Sequence, residues 1–77
     1  MTKSYRLARR LANFRIDALD MTQEQLANLQ GVPTQNISAF ENGRSTNVNY
    51  LFLYIEACNH NQELLNELLQ HVYEATK

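Results

Sequence analysis

Met21-Thr-Gln-Glu-Gln-Leu-Ala-Asn-Leu-Gln-Gly-Val-Pro-Thr-Gln-Asn-Ile-Ser-Ala-Phe-Glu-Asn-Gly43 is the stretch on which the fold turns. Thr22 with Gln25 three residues later is a capping-box pattern, in which each side chain satisfies a free backbone N–H of the other. Leu26 and Leu29 give the helix that follows a short apolar face, and Ala27 is small enough for close helix approach. Gly31 supplies the left-handed conformation that ends a helix. Val32 precedes a proline and is therefore extended, and Pro33 opens the next helix because its missing N–H has no partner there anyway. That helix runs from about Thr34 to Asn42 and Gly43 stops it. Ile37 and Phe40 share one face with Glu41 at its margin. Gln35, Ala39 and Asn42 point the opposite way, flanked by Asn36 and Ser38.

Helical periodicity continues on both sides. Upstream, Leu7, Leu11 and Phe14 recur at i, i+4, i+7 with Ala8 and Ala12 beside them, an amphipathic first helix over about Ser4 to Ala18. Arg6, Arg9, Arg10 and Asn13 fall mostly outside that stripe. Downstream, Arg44 to Thr46 reads as a polar loop, and Asn47 caps a fourth helix carrying Val48, Leu51, Phe52 and Ile55 to about Cys58. Asn59 with Gln62 suggests a further cap. A fifth helix over about 61–75 carries Leu64, Leu65, Leu68, Leu69, Val72 and Tyr73. Two glycines, one proline and no sustained alternation of apolar and polar residues argue against strands. The expected class is all-α, with five helices in a single domain over 1–77.

At 77 residues the chain has room for one core only. Hydrophobic residues at 44% against 19% charged place it among globular rather than disordered sequences. No apolar run approaches the roughly 20 residues that span a bilayer, and no secretory apolar region follows the N-terminal bases. The lone Cys58 has no internal disulfide partner, so a cytoplasmic location is expected. Net charge is −1, but it is unevenly distributed. Lys3, Arg6, Arg9, Arg10 and Arg15 crowd the first sixteen residues without an acid, whereas Glu56, Glu63, Glu67 and Glu74 face only Lys77 from Leu51 onward. Such a basic face attracts phosphate even on a near-neutral chain, or is simply a solvated helix face.

Little else suggests chemistry. Cys58, His60 and His71 lack metal-ligand spacing and read as a packed cysteine and two surface histidines, so no metal or cofactor is expected. Ser38, His60 and Asp17 match no nucleophile or phosphate-loop pattern, so an enzyme is not expected. Tyr50 and Tyr54, four apart, suit core or interface packing better than a stacked ligand.

The central pair of short helices, about 22–42, has helix-turn-helix proportions. Its residues closely resemble the Cro/lambda-repressor-type (XRE) helix-turn-helix family. That family's pattern is Leu-Thr-Gln-x-x-Leu-Ala, then Gly-Val-Ser, then Ile-Ser-x-x-Glu-x-Gly. Thr22, Gln23, Leu26, Ala27, Gly31, Val32, Ile37, Ser38, Glu41 and Gly43 match it without a gap. The resemblance extends over about residues 7–58 and implies a five-helix domain whose third helix enters the DNA major groove. By position it assigns Thr34, Gln35, Asn36 and Ala39 to base edges, and Gln23, Asn42, Arg44 and Ser45 to phosphates. Base chemistry agrees: Gln and Asn bond adenine bidentately, and an alanine methyl meets the thymine methyl. The resemblance also pairs Arg15 with Glu41. Where the family has a capping serine this chain has Pro33, which passes the capping role to Thr34.

The implied function is a sequence-specific, double-stranded DNA-binding transcriptional regulator, a repressor of phage, mobile-element or antitoxin type. The rival is a protein-interaction module, the same scaffold docking a toxin, antirepressor or other regulatory protein. The family's usual assembly is a symmetric dimer reading two half-sites. The fifth helix offers two ways to use its broad stripe. Either Leu64 and Leu68 pack inward while Leu65, Leu69 and Val72 reach a second copy, or all of them cover the core.

Overall fold

Caps set the limits of the helices. The computed structural model describes residues 3–45 and 47–77. They form α1 (Lys3–Asp17), α2 (Gln23–Gln30), α3 (Thr34–Glu41), α4 (Asn49–Ala57) and α5 (Gln62–Ala75). No strand occurs among the described residues, and none of their helices is long and apolar enough to cross a membrane. Thr46, at the end of the expected polar loop, lies outside the described residues.

The capping box at α2 is complete. The Gln25 N–H donates to Thr22 Oγ1 at 3.0 Å, and the Thr22 N–H donates to Gln25 Oε1 at 2.8 Å. Gly31 ends the helix at φ 68°, and the Val32 N–H turns back to the Ala27 carbonyl at 3.0 Å. Thr34 does not cap α3. Pro33 itself holds the cap position in extended conformation (φ −65°, ψ 141°), Thr34 is the first helical residue, and no side chain caps the helix. The proline ring fixes φ where a cap residue needs it but offers no acceptor, and Thr34, already inside the helix, cannot reach the N–H groups a cap serves. At the far end Gly43 takes φ 78°. The Gly43 N–H reaches Phe40 O at 3.0 Å and the Arg44 N–H reaches Ala39 O at 2.9 Å, the paired bonds of a glycine-terminated helix.

The second half of the chain departs from the sequence expectation in three places. Asn59 is not a cap. It and His60 turn left-handed (φ 51° and 64°), and Asn61 caps α5 by accepting the Glu63 and Leu64 N–H groups at 2.9 and 3.2 Å. Asn is one of the few residues that tolerates that left-handed corner, which moves the cap two positions on. The inward face of α4 is Tyr54, Ala57 and Cys58, with Tyr50 and Leu51 half-buried, whereas Val48 and Phe52 stand outside. Asn47 still serves the helix start, accepting the Asn49 N–H at 2.9 Å. Finally, His71 is not a surface histidine. It is half-buried edge-on to Phe14, with ring centroids 5.8 Å apart.

The core gathers Leu11 and Phe14 of α1, Leu26 and Ala27 of α2, Ile37 and Phe40 of α3, Tyr54, Ala57 and Cys58 at α4, and Leu68 of α5. The pairing of α1 with α5 is the broadest helix contact. The short helices α2 and α3 pack against each other, α3 also against α1 and α2 also against α4. Phe40 stacks on Tyr50 at 5.4 Å, tying α3 to α4.

Candidate nucleic-acid interface

The third helix is held from beneath by one carboxylate. Glu41, 1% exposed, lies at the end of α3 and accepts four hydrogen bonds from three other elements. Arg15 of α1 donates through Nε to Oε2 at 2.8 Å and through Nη2 to Oε1 at 2.9 Å, a forked pair. Gln23 of α2 donates to Oε1 at 3.0 Å, and the Tyr54 hydroxyl of α4 donates to Oε2 at 2.7 Å. Arg15 Nη1 also donates to the Met21 carbonyl at 2.7 Å, pinning the loop before α2. Each oxygen thus takes two donors, which fills the acceptor capacity of a carboxylate.

Burial by itself would push the Glu41 carboxyl up, but the hydrogen bonds from Arg15, Gln23 and Tyr54, with the Arg15 charge, hold it below its ordinary value. Burial and the neighbouring Glu41 charge drive the Tyr54 phenol far upward. The hydrogen bonds to Glu41 outweigh burial and raise Arg15. All three stay in the protonation states that keep the cluster intact at neutral pH.

With its inner side fixed in this way, α3 turns the opposite side to solvent. Gln23, Thr34, Gln35, Ser38, Ala39 and Arg44 line one open groove along the helix. Thr34, Gln35, Asn42 and Arg44 are exposed, and Asn36, Ala39 and Ser45 are half-buried. Asn36, Asn42 and Ser45 do not line the groove. Asn42 instead donates to the Ser38 hydroxyl at 3.4 Å, and Ser45 Oγ accepts the Asn47 N–H at 3.5 Å. Gln23 is the residue whose surroundings differ most from the sequence expectation. One N–H of its amide is spent on Glu41, leaving the second N–H and the backbone for any outside contact. Ser38 was not singled out as a contact residue, although its place one turn after Gln35 on the outward side was visible in the periodicity.

Two short helices meet at a glycine turn, the second anchored on its inner side and polar on its outer side. Such an arrangement defines a helix-turn-helix domain of the DNA-binding class. A helix-turn-helix family model matches residues 6–59, and the chain belongs to the Cro/C1-type helix-turn-helix family. No curated protein and no solved structure matches it.

No cluster of three or more potential metal ligands occurs among the described residues. On the α4–α5 side, Leu51, Ile55, Leu65, Leu68, Leu69 and Val72 surround an apolar groove. Leu69 is 65% exposed there, whereas Leu65 and Val72 are half-buried and also touch the core. Phe52 of α4 and Val48 just before it are also exposed.

Proposed function

We propose that this chain is a sequence-specific, double-stranded DNA-binding transcriptional repressor of phage, mobile-element or antitoxin type that acts as a homodimer. The observation carrying the proposal is the two-sided third helix, locked to three other elements through Glu41 and presenting Gln35 and its neighbours in an open groove. Thr34, Gln35, Asn36 and Ala39 read base edges. Gln23 through its remaining N–H, Asn42, Arg44 and Ser45 hold phosphates. The uncapped N–H groups at the start of α3 suit the same anion.

The homodimer is proposed through Leu65, Leu69 and Val72, which line one apolar groove with Ile55 of α4. A twofold axis there places two recognition helices on an inverted repeat, about 34 Å apart.

A gel-shift titration against DNA flanking the gene tests the function. Gln35→Ala and Asn36→Ala are expected to weaken operator binding by about 1–3 kcal/mol and to relax base preference. Arg44→Ala is expected to weaken binding to all sequences alike. The exposed apolar patch supports one rival, a module that docks a regulatory protein. Unchanged operator affinity in Gln35→Ala, with loss of a protein partner, would favour that rival.

A further inference from the structure

The cations of α1 divide between two flanks of the helix. Arg10 faces α5, where its Nη2 lies 3.8 Å from Glu74. Arg9 faces α3, where its Nη1 approaches the main-chain carbonyl of Glu41 at 3.5 Å. One turn before Arg9 on that flank, Tyr5 lies against the turn after α3. A methyl group built on Gly43 would stand 2.7 Å from its ring. The N-terminal half of α1 is therefore seated on the end of the recognition helix and on the turn leading to Arg44.

This placement matters electrostatically. The carbonyl end of a helix carries about half a negative charge, and α3 has no basic residue in its last turn. Left bare, that end would repel a phosphate backbone lying along the groove. Arg9 brings a cation to it from another helix. Arg6, three residues earlier and exposed, adds a second cation on the neighbouring surface. Among the described residues neither Arg6 nor Arg9 has a carboxylate partner, unlike Arg10 and Arg15.

We propose that Arg9, supported by Arg6, is a further phosphate-binding residue of the DNA interface, gripping the backbone beside the C-terminal end of the recognition helix. The inference rests on the DNA-binding reading above and extends it to a helix outside the helix-turn-helix pair. Near-neutral net charge then ceases to be a handicap, because Arg6 and Arg9 stand uncompensated at the interface while four of the eight acids lie from Glu56 onward.

The test is the salt dependence of binding to a fluorescently labelled duplex of mixed sequence. Wild type, Arg9→Ala, Arg9→Lys and Arg10→Ala are compared, with thermal melts recorded for each. Loss of one phosphate contact makes the slope of log affinity against log salt shallower by about 0.9. Arg9→Ala is expected to show that change, Arg9→Lys to keep the wild-type slope, and Arg10→Ala to keep it as well. A wild-type slope in Arg9→Ala would overturn the proposal and reduce Arg9 to a support for the end of α3. An equal drop in Arg10→Ala would also overturn it, since the effect would then follow total charge rather than place. Wild-type protein without salt-dependent duplex binding would instead bring down the DNA-binding reading on which the proposal stands.

Discussion

Replacing Glu41 by glutamine tests the arrangement that holds α3. The change keeps the shape and removes one acceptor and the charge. Four donors converge on the two oxygens, two on each. Whichever way the amide turns, its NH2 group faces two donors: Arg15 Nε with the Tyr54 hydroxyl, or Arg15 Nη2 with Gln23. Arg15, 7% exposed, is left without its counter-charge. Breaking a buried pair from one side costs about 3–5 kcal/mol. A chain of 77 residues has about 4–12 kcal/mol of total stability, so this one change removes a large share of it. For a domain of this size each kcal/mol corresponds to about 4–8 °C, and Glu41→Gln is expected to melt at least about 12 °C below wild type. The acid limb supplies a second readout. Because the folded state holds the Glu41 carboxyl below its ordinary 4.5, the contribution is complete above that value and is lost as pH falls through the lowered folded one. Wild type should therefore shed this stability below about pH 4.5, and Glu41→Gln should lack that component. Tyr54→Phe, which deletes a single donor to the charge, is expected to cost about 1.5–3 kcal/mol. Circular dichroism melts across pH decide the matter. A Glu41→Gln protein melting within about 4 °C of wild type, with an unchanged acid limb, would refute the reasoning.

Gly43→Ala is expected to destabilise by more than the roughly 1–2 kcal/mol of a left-handed alanine, because the new methyl also meets the Tyr5 ring at 2.7 Å. Gly31→Ala, with a similar φ and nothing within 4 Å, should pay the backbone term alone, and equal losses in the two melts would contradict the close approach. His71, pushed down from 6.5 mainly by burial and then by the Arg10 charge, against opposing pulls from Glu67 and Asp17, has a buried Nδ1 with no partner. Its neutral form is the folded one, so stability should fall as pH drops below about 6.5 toward the lowered value, and His71→Leu should flatten that segment of a denaturation series. Leu69→Glu places a charge on the 65%-exposed residue of the α4–α5 patch. Sedimentation analysis with and without operator should find it monomeric with its fold intact, and a wild type that is itself monomeric on DNA would end the homodimer proposal.

Local chemistry was enough to read the class, the five helices and the central turn. Capping pairs, glycine and proline positions and the 3.6-residue period each act within a few residues, which is why Thr22, Gly31 and Gly43 could be placed from the chain alone. The errors came where two local answers competed. Both Asn59 and Asn61 are plausible caps, and the left-handed turn at Asn59 and His60 leaves the role to the second. On α4 the apolar residues go nearly all the way round, so the periodicity of Phe52 and Ile55 could not say which face is inward. The outcome depends on Phe40 stacking with Tyr50 and on Glu41 receiving the Tyr54 hydroxyl. Tertiary packing alone decided the remaining features. It turned Gln23 from a solvent-facing polar residue into a donor to Glu41, buried one nitrogen of His71, and divided the arginines of α1 between α3 and α5. A side chain's neighbours across the core lie many residues away along the chain, and no local period encodes their distance.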